Sequence, residues 1–380
     1  MFTAHEVATS KGGVKLERIS LNQLGSMIVL FLIGSSSLFL LASDAAKDAW
    51  IAVFAGMLCG LVLLCGVNLA LFRLMPGKDL IEIIFELLGK PIGYVICLSY
   101  VLFFCYESIR NVREFGDLMI MYLLPQTPLA ALMLIICLLA VYTVFHGLDV
   151  FFRMAEAILP IVIGIYIILF TLIAGSGLLH LEYLTPIFDD GFQTVWRATF
   201  PELISFPFGE LILFLMFWKY AAKHGKMTSL AVKCYLFSGC FITITNIFIY
   251  AGLGNLAGTV AIPLMQLTNL IEFSQFLERI DPFVALLLFT GVFFKLTAYY
   301  FGAVLALSKF IKLPSKYIIM IVGAVIYFGS FMFRNYLEQV WFGFQYNVKY
   351  HFPLFQIVVP VLLLMLAIIR RRRNEKVFAE

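Results

Sequence analysis

SFPFGE, Ser205 to Glu210, sets a proline, a glycine and a carboxylate inside an apolar run. IGSSSLF, Ile33 to Phe39, sets a glycine and three serines inside another. GVFFKLTAYY carries one lysine, Lys295, and YESIRNVREFGDL carries Glu107, Arg110, Arg113, Glu114 and Asp117. Where the solvent is hydrocarbon, Pro and Gly free backbone N–H and C=O groups that need partners buried in protein or facing a watery cavity. A half-helix N-terminus freed in this way offers N–H groups to a carboxylate. A charge at the centre of a membrane helix costs about 2.5–3.5 kcal/mol even on an insertion scale, so Glu210 and Lys295 are expected to face inward and be paired.

The chemistry on offer is ligand and ion binding, not catalysis. His5, His146, His180, His224 and His351 lie in tails or near the ends of apolar runs, with no HxxxH or HExxH face. The seven cysteines all lie inside apolar runs with no CxxC pair, which argues against disulfides and zinc. No metal, cofactor or enzymatic activity is expected.

These residues need long apolar helices to position them. The 380 residues are 62% hydrophobic and 13% charged, with a mean hydropathy of +0.98, and the runs are too long and too uniformly apolar for barrel strands. Ten transmembrane helices are predicted at about 22–43, 50–73, 91–124, 128–146, 150–176, 200–219, 228–256, 282–309, 316–333 and 352–370. One transporter-like domain, 22–370, is expected between a cytosolic tail, 1–21, and a basic cytosolic tail, 371–380, with a first half at 22–176 and a second at 200–370. Segments on the side of the first tail hold 18 Lys/Arg against five on the other, which places both termini in the cytosol and gives the net charge of +4 a topological meaning and not a nucleic-acid one. DLIEIIFELLGK reads as a surface helix opened by an Asp79–Glu82 capping box, and MQLTNLIEFSQFLERIDP as another that leads into a helix starting at Asp281-Pro282.

The two interruptions fall in the first and sixth of ten spans. They therefore occupy corresponding places in two five-helix halves of opposite orientation, the sequence pointer to an inverted-repeat, LeuT-like transporter fold. At 1.5 Å per residue, Gly34, Glu210 and Lys295 lie about 18, 15 and 20 Å from their helix ends, near the middle of a core of about 30 Å. Glu107 lies about 24 Å from Pro91 and reaches that level with helix tilt. Plainer readings compete: a packing kink at Pro207 and Gly209, snorkelling of Lys295, close helix packing at the serines, and an intrahelical ladder formed by Glu107–Arg110, Arg110–Glu114 and Arg113–Asp117. The common depth of four separated stretches favours a central pocket.

As a set, LLGKPIG, VREF with YLLPQTPL, SFPFGE followed by LILFLMFW, FLERIDPFVALLLFTGVFFK and the basic tail resemble the B subunits of bacterial spore-germinant receptors, the endospore germination permease family. The resemblance spans about residues 16–374. It implies an amino acid/polyamine/organocation transporter fold in the spore inner membrane that binds a nutrient germinant, with amino acids as the default ligand. It also implies two partners, a membrane-embedded A subunit and a lipoprotein C subunit. In transporters of that kind the ligand lies between the breaks of helices one and six, closed by helices three and eight. Carried over, this points to Gly34, Ser35, Ser36, Ser37, Tyr106, Glu107, Phe206, Pro207, Phe208, Gly209 and Phe294, with Glu210, Lys295 and Arg110 as structural or coupling charges. The family's glycine–x–glycine pattern in helix one reads Ser36 at its second glycine.

Three functions follow as expectations. The first is a receptor subunit that relays ligand binding to its partners. The second is an amino-acid transporter, proton-coupled through Glu210 or Glu107, and the third is a scaffold that assembles with the A subunit.

Overall fold

The computed structural model describes residues 18–222, 224–271 and 280–377. Among them nine helical segments are long and apolar enough to cross a membrane: α2 (Ser43–Leu74), α3 (Leu80–Tyr122), α4 (Leu129–His146), α5 (Leu148–Gly175), α6 (Phe192–Met216), α7 (Gly225–Gly258), α8 (Asp281–Leu307), α9 (Ser315–Met332) and α10 (Tyr336–Arg372). The tenth, α1 (Leu21–Ile33), has 13 residues. That is about 20 Å of helix, too short to cross alone. The protein is an all-helical, multi-pass membrane protein.

Local sequence sets the ends. Ser20 caps α1 in a capping box with Gln23, and Asp79 does the same for α3 with Glu82. Gly89, at φ 74° and ψ −178°, turns the chain ahead of Pro91, so the acidic stretch from Leu80 is a separate arm that bends into the α3 span. Asp281-Pro282 opens α8 with proline in the first turn. The middle of the second expected surface helix, residues 272–279, lies outside the described residues, and the short helix Pro263–Asn269 stands at its start.

α6 and α8 form the interior. In each, 78% of the apolar window is buried, against 28% in α5, whose outward face carries exposed Ile161, Ile167 and Ile168. α8 packs along α3, while α1 is wedged between α5, α7 and α8. Two boundaries differ from the sequence expectation. α6 begins at Phe192 and not near 200, and α10 begins at Tyr336 and not near 352. The added part of α10, YLEQVWFGFQYNVKYH, is polar, yet Gln339 and Asn347 are each 2% exposed because they pack against α3.

One end of the bundle is tied by charge and backbone. Lys219, just past α6, contacts Asp79 and lies 3.1 Å from Glu82. Lys309, just past α8, lies 3.4 Å from Asp79 and 2.7 Å from Glu82. Burial alone would lower the pKa of Lys219, but Asp79 and then Glu82 outweigh it and hold the ammonium above the ordinary lysine value. Ile19 N–H donates to Tyr220 O and Ala222 N–H to Ile19 O, both at 2.9 Å, which clamps the segment before α1 to the segment after α6.

Candidate functional site

α1 stops at Gly34 because the chain there takes φ 27° and ψ −127°. A Cβ at Gly34 would stand 3.1 Å from Leu30 O and 3.2 Å from Phe31 O, so glycine is the residue that fits. One tight turn, Ser36–Leu38, follows. α8 approaches this break through Gly291, where a Cβ would lie 2.6 Å from both Gly34 O and Ser35 N. On the other side α6 passes through a π-helical stretch, Thr199–Leu203, breaks at Phe206-Pro207 and resumes as a tight helix, Phe208–Met216.

Lys295 stands between the two breaks. Its Nζ lies 2.6 Å from Glu210 Oε2 and donates to Ser36 Oγ at 3.1 Å, and it sits 4.3 Å from the centre of the Phe206 ring and 5.7 Å from that of Phe31. Glu210 Oε1 accepts from Tyr299 Oη at 3.1 Å. Lys295 and Glu210 are each 1% exposed. Thus α1, α6 and α8 meet on one ion pair, and the ammonium has a carboxylate, a hydroxyl and an aromatic face as neighbours.

The other expected residues fall into separate groups. Tyr106 and Arg110 turn towards α10: Tyr106 Oη accepts from Asn347 Nδ2 at 2.6 Å, Arg110 Cζ stands over the Phe352 ring, and Glu107 Oε2 lies 3.7 Å from Arg110 Nη1. Glu107 Oε1 and Arg110 Nε are buried without a hydrogen-bond partner among the described residues. Arg113 pairs with Asp117 at 2.7 Å and donates to Phe333 O and Arg334 O, which ties α3 to the α9–α10 connection. Of the three pairs that the spacing of α3 allows, Arg110–Glu114 is the one that does not close to ion-pair distance.

Ser37 bonds Tyr166 of α5 and Ile33 O, and Ser35 O caps the turn at Leu38 N. Phe208 faces Tyr235 of α7, 5.6 Å between ring centres. Phe294 stacks on Phe151 of α5 at 5.5 Å. Gly209 lets α10 come close: a Cβ there would be 2.5 Å from Gln356 Oε1. Ser37, Phe208, Phe294 and Gly209 therefore face neighbouring helices, while Ser36, Phe206, Glu210 and Lys295 form the charged centre.

Sequence reasoning missed Tyr299 and Gly291. Both stand one helical turn from Lys295, at i+4 and i−4, on the same face of α8, so the spacing itself was the available signal. It also missed Gln339, Asn347, His351 and Gln356, because the first half of α10 does not read as a span.

Comparison with known proteins fits this arrangement. The spore germination protein family model, of the spore permease type, matches residues 18–338. The chain belongs to this family. It is 28% identical over 363 residues to spore germination protein KB of Bacillus subtilis (strain 168), covering 94% of this chain and 97% of that one. Spore germination protein B2 of the same organism is 27% identical over 302 residues, covering 76% and 79%. Among solved structures the chain is similar to Mhp1, a nucleobase-cation-symport-1 family transporter in a closed conformation with bromovinylhydantoin bound. That likeness has a TM-score of 0.55 at 13% identity and covers 87% of this chain and 77% of that one. It shows the fold, a LeuT-like transporter architecture with its first and sixth helices broken.

Proposed function

We propose that this spore germination family member is the ligand-binding membrane subunit of a germinant receptor. It takes a small nutrient, an amino acid, in a central pocket bounded by the breaks of α1 and α6 and by α3 and α8, and relays the resulting shift to a membrane-embedded A subunit and a lipoprotein C subunit. The pocket belongs to a single transporter-like domain, 22–370, in the spore inner membrane, with both termini in the cytosol.

The observation that carries this reading is the pairing of Lys295 with Glu210 and Ser36. In transporters of this architecture the broken helices are where a coupling cation binds and leaves. Here a covalently fixed ammonium stands between the breaks, and it cannot leave. A ligand that prefers one of two states can shift such a fold without ion traffic. The second reading is an amino-acid transporter coupled to protons, and Glu107, buried with one oxygen unpaired, is the feature that favours it.

Two measurements decide. Spores lacking the gene, complemented with wild-type or Glu107→Gln protein, are tested for germination on the twenty common amino acids, glucose and inosine. Loss of the response to one nutrient on deletion supports the receptor reading, and an unchanged panel contradicts it. Radiolabelled uptake of the responding nutrient into vesicles containing the purified chain is then expected to show binding without accumulation. Accumulation driven by a pH gradient would replace the receptor reading with the transporter one.

A further inference from the structure

The seam between α3 and α10 holds a second polar cluster. On α3, Glu107 Oε1 and Arg110 Nε are buried and without hydrogen-bond partners among the described residues; on α10 the same is true of Gln339 Oε1 and His351 Nδ1. Glu107 and Gln339 are each 2% exposed. The four belong together. Gln339 Nε2 donates to Arg110 O at 2.9 Å, Arg110 Cζ stands 5.6 Å from the centre of the Phe352 ring, and the His351 ring meets the edge of Tyr106 at 5.3 Å.

Native proteins pair nearly all their buried polar atoms, because a lone one gives up its water and gains nothing. Four such atoms along one helix–helix seam mark a place built for something else. The backbone of α10 agrees, since it is π-helical over Gly343–His351 and Leu354–Val358, the two stretches that flank Phe352. π-helical turns inside α-helices recur at functional sites.

Charge indicates what fits. Lys295 and Glu210 neutralise each other at 2.6 Å. Among the described residues Arg110 is the only cation within ion-pair distance of Glu107, at a long 3.7 Å. Glu107 thus keeps one oxygen without a donor beside a single, distant guanidinium, and the missing partner is positive and rich in N–H donors. Arg110 Nε, in turn, has a donor to spare for an anion.

The geometry points to the α3–α10 seam as the place where the ligand's polar head is read: Glu107 receives its ammonium, Arg110 its carboxylate, and Gln339 with His351 selects among side chains. This rests on the amino-acid-sensing reading above, and it adds a helix, α10, that no resemblance assigns to the pocket. It also gives the charged centre a different task. Lys295 is saturated by Glu210, Ser36 and Phe206, so it holds the breaks while the seam discriminates.

The test uses the full chain purified in detergent. Thermal stabilisation is measured with each of the twenty amino acids and, for those that bind, with matched analogues lacking one group, such as L-alanine against L-lactate and against ethylamine. Wild type is expected to prefer the zwitterion at least tenfold over both analogues. Glu107→Gln is expected to weaken zwitterion binding about 10- to 100-fold, the range for losing a hydrogen bond to a charged group. Gln339→Leu and His351→Gln are expected to reorder the amino-acid panel, and they keep the test open if Glu107→Gln does not fold. If the wild type binds amino acids while all three variants keep its affinities and its ranking, the seam assignment is overturned and the sensing reading stands. If the wild type responds to no amino acid, both readings fall.

Discussion

Removing one member of the central ion pair is the sharpest perturbation this structure offers. In Glu210→Gln the Lys295 ammonium, 1% exposed, keeps Ser36 Oγ at 3.1 Å and the Phe206 face but loses its counter-charge. Breaking a buried pair from one side costs about 3–5 kcal/mol, whereas replacing both charges by neutral groups of similar shape is near neutral. Unfolding entropy of about 2 cal/mol/K per residue, taken over 380 residues, converts that loss to a drop in melting temperature on the order of 5 °C. Lys295→Met should behave alike, since it strands the Glu210 carboxylate with Tyr299 Oη at 3.1 Å as its remaining side-chain donor among the described residues. The double variant, Glu210→Gln with Lys295→Met, should recover most of the loss. Thermal unfolding of the four proteins closes a double-mutant cycle, and two single losses of about 3–5 kcal/mol each against a near-neutral double variant imply a coupling of at least about 5 kcal/mol, above the usual range of about 0.5–3 kcal/mol for contacting residues. Additive single effects, or a Lys295→Met protein as stable and as competent in germination as wild type, would refute the view that this pair holds the two breaks together.

Other expectations follow from the same contacts. Gly291→Val should prevent α8 from seating on the α1 break, because its Cβ would lie 2.6 Å from Gly34 O and Ser35 N; greatly reduced membrane accumulation is expected, and normal accumulation would contradict the close approach. Gly34→Ala should cost about 1–3 kcal/mol, the range for a non-glycine residue forced into a sparsely populated backbone region, measured as lower thermal stability with lipid present. Lys219→Met should loosen the arm from Leu80, read as faster protease cleavage near Gly89 than in wild type. The folded pKa of Lys219 is raised, so its stabilisation is complete below the ordinary lysine pKa and is lost only as pH climbs through the raised value. The cleavage difference should therefore be constant from pH 6 to about 9, and a difference that faded within that window would place the loss elsewhere.

The charged centre was legible because its residue types are costly where they stand. A proline, a glycine and a carboxylate in one apolar run, and a lysine in another, have few explanations in hydrocarbon, and their common depth left Glu210 or Glu107 as the partner of Lys295, between which the structure chooses Glu210. The capping box at Asp79 and the proline start at Pro282 were legible for the same reason, as local rules with one structural outcome. α10 was not legible. Its first half is polar, so hydropathy places it outside the membrane, yet Gln339 and Asn347 are buried because Arg110 O and Tyr106 Oη on α3 take their amide protons. The division of the site escaped for a related reason. Spacing along one helix tells which residues share a face, but only the packing of α5, α7 and α10 decides that Ser37, Phe208 and Gly209 point away from Lys295.

The division has a consequence for how ligand binding could move this fold. A two-state shift needs a ligand whose contacts differ between the states, by about 5.5 kcal/mol to carry an equilibrium from 1:99 to 99:1. The central pair cannot supply that difference, since its groups already satisfy one another without a ligand. The α3–α10 seam can, because its unpaired atoms gain partners only when something enters. The arm that precedes the α3 span carries Asp79 and Glu82, which hold Lys219 and Lys309, and it joins the span of Glu107 through the bend at Gly89. Gly89 is the joint between that span and the arm, so any coupling between the seam and the segments after α6 and α8 has to pass through it.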